Sequence, residues 1–191
     1  MMIERNIKTV IVTGPTGAVG TALCNRLLQA GCTVVAVCRP GSPAGRSAAQ
    51  GCKPVCSCLR CRQPDGFAAV HGRSRAARAG GCLFHLAWAH TIGAGRNDMP
   101  AQIENIRYTI DAVRTAAAMG CRVFVGTGSQ AEYGRVGRCS AGRYPHKPRN
   151  GYGMAKLCAG QMSRTEPPPW AWTMCGRVSF RFTARMTAPT R

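Results

Sequence analysis

Acidic residues are what this chain has least of: 7 Asp and Glu among 191 residues, against 26 Lys and Arg, for a formal net charge of +19. So one-sided a balance ordinarily points to nucleic acid or to an anionic membrane surface. Its distribution argues against both. Residues 1–42, 83–134 and 150–164 carry 10 basic and 5 acidic side chains, net +5, while 43–82, 135–149 and 165–191 carry 16 and 2, net +14. The charge thus lies in stretches with neither helical nor strand periodicity. Aromatic residues are also few, at 6%, and are not interleaved with the cations as base-stacking platforms are. A long apolar run is missing too. None approaches the ~20 residues that span a bilayer, and the opening MMIERNIKTVIVTG holds no apolar leader segment. The expectation is a soluble, cytoplasmic protein with no membrane partner, long enough for one domain with a real core. Its twelve cysteines are then expected as thiols rather than disulfides.

Against these absences stand segments with clear pattern. KTVIVTGPTGAVGTALCNRLLQAGCTVVAVCRPGS, residues 8–42, reads as strand, glycine turn, helix and strand. Thr9 to Thr13 is a β-branched run suited to a buried parallel strand. Gly14, Gly17 and Gly20 follow, then a helix to about Ala30 with Leu23, Leu27 and Leu28 on its apolar face. Gly31 is the stop, and Thr33 to Val37 the second strand. Glycines between a strand and a helix allow a tight turn and close approach of backbone to a pyrophosphate, with the helix N-terminus supplying N–H groups. Where NAD-preferring folds carry a carboxylate after the second strand, this chain has Cys38-Arg39-Pro40. Arg39 either faces a 2′-phosphate, which leans toward NADP, or is simply a solvated surface cation.

CLFHLAWAH (82–90) reads as another buried strand. Residues 99–119 read as a helix with Pro100 near its start and Ile103, Ile106, Ile110, Val113 and Ala117 three or four apart. RVFVGTGS (122–129) reads as a further strand, with Ser129 at its end. Strand–helix alternation predicts an α/β fold, a Rossmann-type doubly wound parallel sheet with ligands at the carboxyl ends of its strands.

These segments together resemble the extended short-chain dehydrogenases/reductases, the NAD-dependent epimerase/dehydratase family. TGPTGAVG resembles their TGxxGxxG loop, which implies cofactor contacts from Gly14, Thr16, Gly17, Ala18, Val19 and Gly20. FHLAW resembles the strand whose Leu86 and Ala87 pass the cofactor riboses, and Asn105 in IENIRYT matches the helix Asn that follows. GSQAEYG implies a catalytic Ser129, and YGMAK supplies the YxxxK pair Tyr152 and Lys156. The resemblance implies NAD or NADP as cofactor, a nucleotide-sugar substrate, and epimerase, dehydratase or reductase chemistry; the intact family implies a possible homodimer. A Tyr phenol, with an ordinary pKa near 10, works as a base only when its anion is stabilised. A Lys four residues on shares its helix face and supplies the cation.

Residues 43–81 should hold a second helix, a third strand and an adenine-binding acid, yet no such pattern is present. Cys52, Cys56, Cys58 and Cys61 lack paired zinc-knuckle spacing and no His follows at ligand distance, so no metal site is expected. An out-of-frame reading of GC-rich DNA accounts for the texture of 43–81, 135–149 and 165–191. With suitable codons, shifting Leu59–Ala68 by one base gives C-D-A-A-S-L-T-A-L, and shifting Arg143–Arg149 gives D-T-P-T-N-P-E. Shifting Glu166–Arg191 by two bases produces R-x-x-S-V-Y-G-P; each product falls where the family carries such a run. The expected organisation is a Rossmann domain over 1–164 with 43–81 and 135–149 aberrant, a basic tail at 165–191, and no substrate domain. Two other readings stand beside the enzyme: a non-catalytic nucleotide-binding fragment, and a basic nucleic-acid-binding protein with disordered insertions.

Overall fold

The computed structural model describes residues 7–38, 53–56, 81–135 and 146–166. Five strands, β1 (Thr9–Thr13), β2 (Thr33–Cys38), β3 (Lys53–Cys56), β4 (Cys82–His85) and β5 (Val123–Gly126), form one sheet in the order β3-β2-β1-β4-β5. Every pairing is parallel, with Ile11 opposite Val35 and Leu83, and Leu83 opposite Phe124. Among the described residues there are three α-helices: α1 (Ala18–Gln29) and α2 (Met99–Ala118) flank the sheet, and α3 (Gly151–Thr165) packs on α2. The strand order reverses direction at β1, which puts a crevice between the ends of β1 and β4, where doubly wound folds bind ligands.

Strand alternation divides the core in two. Ile11, Val35, Val37, Leu83 and Phe124 pack with Ala112, Val113 and Ala116 of α2. On the other face Val10, Val12, Val34 and Cys82 pack with Cys24, Leu23, Leu27 and Leu28 of α1. The ends of α1 and α2 are built alike. Gly31 (φ 76°) and Gly120 (φ 68°) take left-handed backbone. Gly31 N donates to Leu28 O at 2.9 Å and Cys32 N to Leu27 O at 3.0 Å; Gly120 and Cys121 repeat the pattern on Ala117 and Ala116. Glycine alone adopts that conformation without strain.

Three expectations need correction. The strand read over 82–90 stops at His85: Leu86 N still bonds Thr13 O at 3.1 Å, but Ala87 N and Ala89 N are taken by side chains, Thr13 Oγ1 and Asn105 Oδ1. Ile110 and Val113 are buried as their spacing implies, but in the first half of α2 the buried stripe is rotated from the isoleucine row. Ile103 is 63% exposed, whereas Gln102, Asn105 and Thr109 are buried, because this half of the helix faces loop backbone that needs hydrogen-bond partners. A strand also exists within the patternless 43–81, at 53–56, pairing Lys53–Cys56 with Val35–Cys38. It lies at the sheet edge, where Pro54 removes no ladder bond from a central strand. Arg39, Cys52, Cys58, Cys61 and most of the basic stretches, including 167–191, lie outside the described residues. The described end of the 135–149 stretch packs in place, His146 stacking on Tyr133 at 4.7 Å between centroids.

Candidate active site

β1 ends on a threonine that ties two strands together. Thr13 is fully buried; its Oγ1 accepts from Ala87 N at 3.3 Å and lies 3.0 Å from His85 Nδ1. His85 Nε2 is 3.4 Å from Thr109 Oγ1, which donates to Asn105 O at 2.9 Å. One proton arrangement satisfies every bond: Thr13 donates to Nδ1, and a neutral His85 donates from Nε2 to Thr109. Burial, helped by the nearby Lys156 charge, lowers the His85 pKa to about 3, so the ring stays neutral.

The glycine turn begins at once. Gly14 (φ 70°) passes so close to β4 that a Cβ there would sit 2.8 Å from Ala87 N. At Gly20 a Cβ would meet the Gly14 carbonyl and lie 2.8 Å from Pro15 Cα. These two glycines are required by the protein's own packing. Gly17 is different: a Cβ would find only Gly14 O at 3.7 Å, an ordinary contact, and the residue is exposed. Gly17 is the N-cap of α1 and no side chain caps the helix. The first-turn N–H groups of Ala18, Val19 and Gly20 have no intrahelical acceptors, and an anion is the partner such a terminus favours. Thr16 is exposed in the same turn, and the residues present fit a pyrophosphate.

Leu86 and Ala87 lie half-buried at the end of β4, beside the glycine turn. Asn105 is buried and uses its amide within the chain. Its Oδ1 accepts from Ala89 N and its Nδ2 donates to Ala89 O, both at 3.0 Å, and to Gln102 Oε1 at 3.3 Å. It clamps the loop rather than offering a free amide. Gln102, 2% exposed, also accepts from Trp88 Nε1 at 3.0 Å and donates to His90 O and Gly95 O, each at 3.1 Å. All four of its bonding positions are used.

Asn150 caps α3, its Oδ1 accepting from Gly153 N at 2.8 Å, and Asn97 Oδ1 accepts from Gly151 N at 3.0 Å. Tyr152 is half-buried on the first turn. The edge-on Trp88 ring lies 6.0 Å from it, and the Arg96 guanidinium carbon stands 4.9 Å over its centroid. One turn on, Lys156 is 7% exposed. Its Nζ donates to Thr127 O at 2.9 Å and lies 3.7 Å from the Trp88 ring centroid. Burial lowers the Lys156 pKa to about 7, against an upward pull from Glu132. Ser129 caps the short turn Gln130–Glu132: its Oγ accepts from Ala131 N at 3.2 Å, and Glu132 Oε1 accepts from Ser129 N at 2.5 Å. The turn abuts α3, since a Cβ on Gly153 would lie 2.9 Å from the Ala131 carbonyl carbon.

Sequence reasoning missed His85, Trp88, Arg96, Gln102 and Glu132. Only Glu132 carried a signal, because S-Q-A-E from Ser129 has capping-box spacing. Among the described residues no cluster of His, Cys, Asp or Glu could hold a metal, and no helix is long and apolar enough to cross a membrane.

Several solved structures share the architecture. A UDP-glucose 4-epimerase from Thermotoga maritima, determined with UDP-glucose, superposes with a TM-score of 0.70 at 16% identity, covering 87% of this chain and 54% of that one. A short-chain dehydrogenase/reductase superfamily protein from Agrobacterium tumefaciens with bound NAD gives 0.66 at 23%, covering 87% and 48%. A UDP-glucuronic acid 4-epimerase from Bacillus cereus in complex with NAD gives 0.61 at 16%, covering 82% and 51%. The chain therefore spans about half the length of these proteins. No curated protein matches it by sequence. Residues 10–166 match the model of the NAD dependent epimerase/dehydratase family. With the parallel 3-2-1-4-5 sheet and the glycine turn at its switch point, that match means the chain belongs to the NAD-dependent epimerase/dehydratase family.

Proposed function

We propose that the chain binds NAD or NADP across the ends of β1 and β4, and that it serves an epimerase, dehydratase or reductase reaction on a nucleotide-sugar. The observation that carries this reading is Gly17. Unlike Gly14 and Gly20, it is not demanded by internal packing, and it opens the uncapped N-terminus of α1 at the switch point. Gly14, Thr16, Gly17, Ala18, Val19 and Gly20 would receive the pyrophosphate, with Leu86 and Ala87 along the riboses. Asn105 acts by fixing the loop at Ala89. Arg39 is proposed to favour NADP.

Bound cofactor supplies a nicotinamide that accepts and returns a hydride. The chain's own groups manage the accompanying proton. Tyr152 takes it from, or gives it to, a sugar oxygen as general base or acid. Lys156, on the same helix face, stabilises the phenolate form of Tyr152 while it carries charge. Ser129 keeps a hydroxyl proton to donate to the same sugar oxygen, because its Oγ acts as acceptor toward Ala131 N.

A second reading is a nucleotide-binding fragment without turnover; the chain spans about half the length of the related structures. Titration with NAD and with NADP, followed by assay on UDP-sugars, tests both. Binding with turnover supports the first reading, binding without turnover the second, and salt-sensitive DNA binding without NAD(P) binding overturns both.

A further inference from the structure

Trp88 touches both members of the Tyr–Lys pair, and nothing in the motif logic assigns it a role. Its ring face receives the Lys156 ammonium, with Nζ 3.7 Å from the centroid, and its ring stands edge-on to Tyr152 at 6.0 Å and 87°. The ring cannot swing freely. Its Nε1 donates to Gln102 Oε1 at 3.0 Å, and Gln102 is buried and anchored to His90 O, Gly95 O and Asn105. An ammonium has three N–H groups. The Thr127 carbonyl takes one and the indole face a second, so one remains.

We infer that Trp88 is a positioning residue for Lys156: anchored by Gln102, its ring face holds the ammonium against the Thr127 carbonyl and directs the one remaining N–H to an acceptor on bound ligand. The inference rests on the proposed role of Lys156. It also bears on charge. A ring face favours the ammonium over the neutral amine, opposing the burial that brings the Lys156 pKa down to about 7. The other groups around Lys156 are His85 from β4, Glu132 from the turn after Ser129, Tyr152 on its own helix, and Arg96 over Tyr152. His85 is neutral above about pH 3, so it adds no charge near neutrality. Glu132, the Thr127 carbonyl and the Trp88 face are therefore the groups that favour the Lys156 cation.

The test replaces Trp88 site-specifically by tetrafluorotryptophan, which keeps the indole shape and strips the negative ring face. The pH dependence of Lys156 acylation is then read by competitive labelling and mass spectrometry. The midpoint should fall by about one pH unit. A Trp88→Phe variant, which keeps a ring face, should stay closer to the native midpoint than Trp88→Leu. An unchanged or raised midpoint with the fluorinated ring, or equal midpoints for Phe and Leu, would overturn the inference. The labelling readout needs no cofactor, so a chain that failed to bind NAD(P) would count against the proposed function and leave this result standing.

Discussion

Alanine at each of the three glycines separates packing from ligand binding. Gly14 holds φ at 70°, and a Cβ there would press to 2.8 Å on Ala87 N. Left-handed backbone costs a non-glycine residue about 1–2 kcal/mol, and overpacking adds about 1–3 kcal/mol. Gly14→Ala should therefore lose roughly 2–5 kcal/mol, or on the order of 10 °C in melting temperature for a chain of this size. Gly20→Ala meets Pro15 backbone at 2.8 and 2.9 Å, and its overpacking cost is offset by about 1 kcal/mol of helix propensity. Gly17→Ala meets nothing closer than 3.7 Å and sits at φ −74° and ψ 164°, so only a weaker N-cap is lost, at under about 1 kcal/mol. Thermal melts by circular dichroism, run beside NAD(P) titrations, should show Gly17→Ala near native in stability and deficient in binding. If Gly17→Ala bound NAD(P) as the native chain does, or melted as early as Gly14→Ala, the division of labour among these glycines would be wrong.

Three further perturbations probe the surrounding network. Lys156→Met should raise the melting temperature near pH 7, because the native Lys has a folded pKa of about 7 against an ordinary 10.5; the unfolded chain holds the extra proton, so native stability climbs and the gap narrows from pH 7 toward 10.5. His85, lowered from 6.5 to about 3, makes native stability fall as pH drops from 6.5 toward 3, and melts of His85→Gln across that range should lack this part of the slope. Asn105→Ala strands the N–H and C=O of Ala89 and should cost on the order of 3 kcal/mol in urea unfolding, with faster amide exchange in the loop after β4.

The legible parts of the fold were those set by local periodicity. β1, the glycine turn, α1 and β2 form one continuous pattern in which each apolar position packs where its spacing implies. The first half of α2 was misread because Ile103 fits the helical row while the loop after β4 competes for that surface, drawing Gln102 and Asn105 inward to satisfy its backbone. No sequence rule marks a glutamine as such a hub, since three of its four partners lie between β4 and α2, in a segment whose path only the folded chain sets. The strand at 53–56 was invisible for a related reason: four residues including Pro54 carry no period, and pairing with β2 supplies the order. Motif spacing singled out Tyr152, Lys156 and Ser129, and the structure sets the first two on α3 and Ser129 on the turn that abuts it. Trp88 was not singled out, because its role depends on which residue follows the end of β4 and which side of α3 faces it.

Titration of the intact chain with NAD and NADP near pH 7, read by isothermal calorimetry beside Gly17→Ala, tests the central claim most directly. The account predicts saturable one-to-one binding in the native chain that Gly17→Ala loses while still folded. A native chain that is folded yet takes up neither dinucleotide would contradict it.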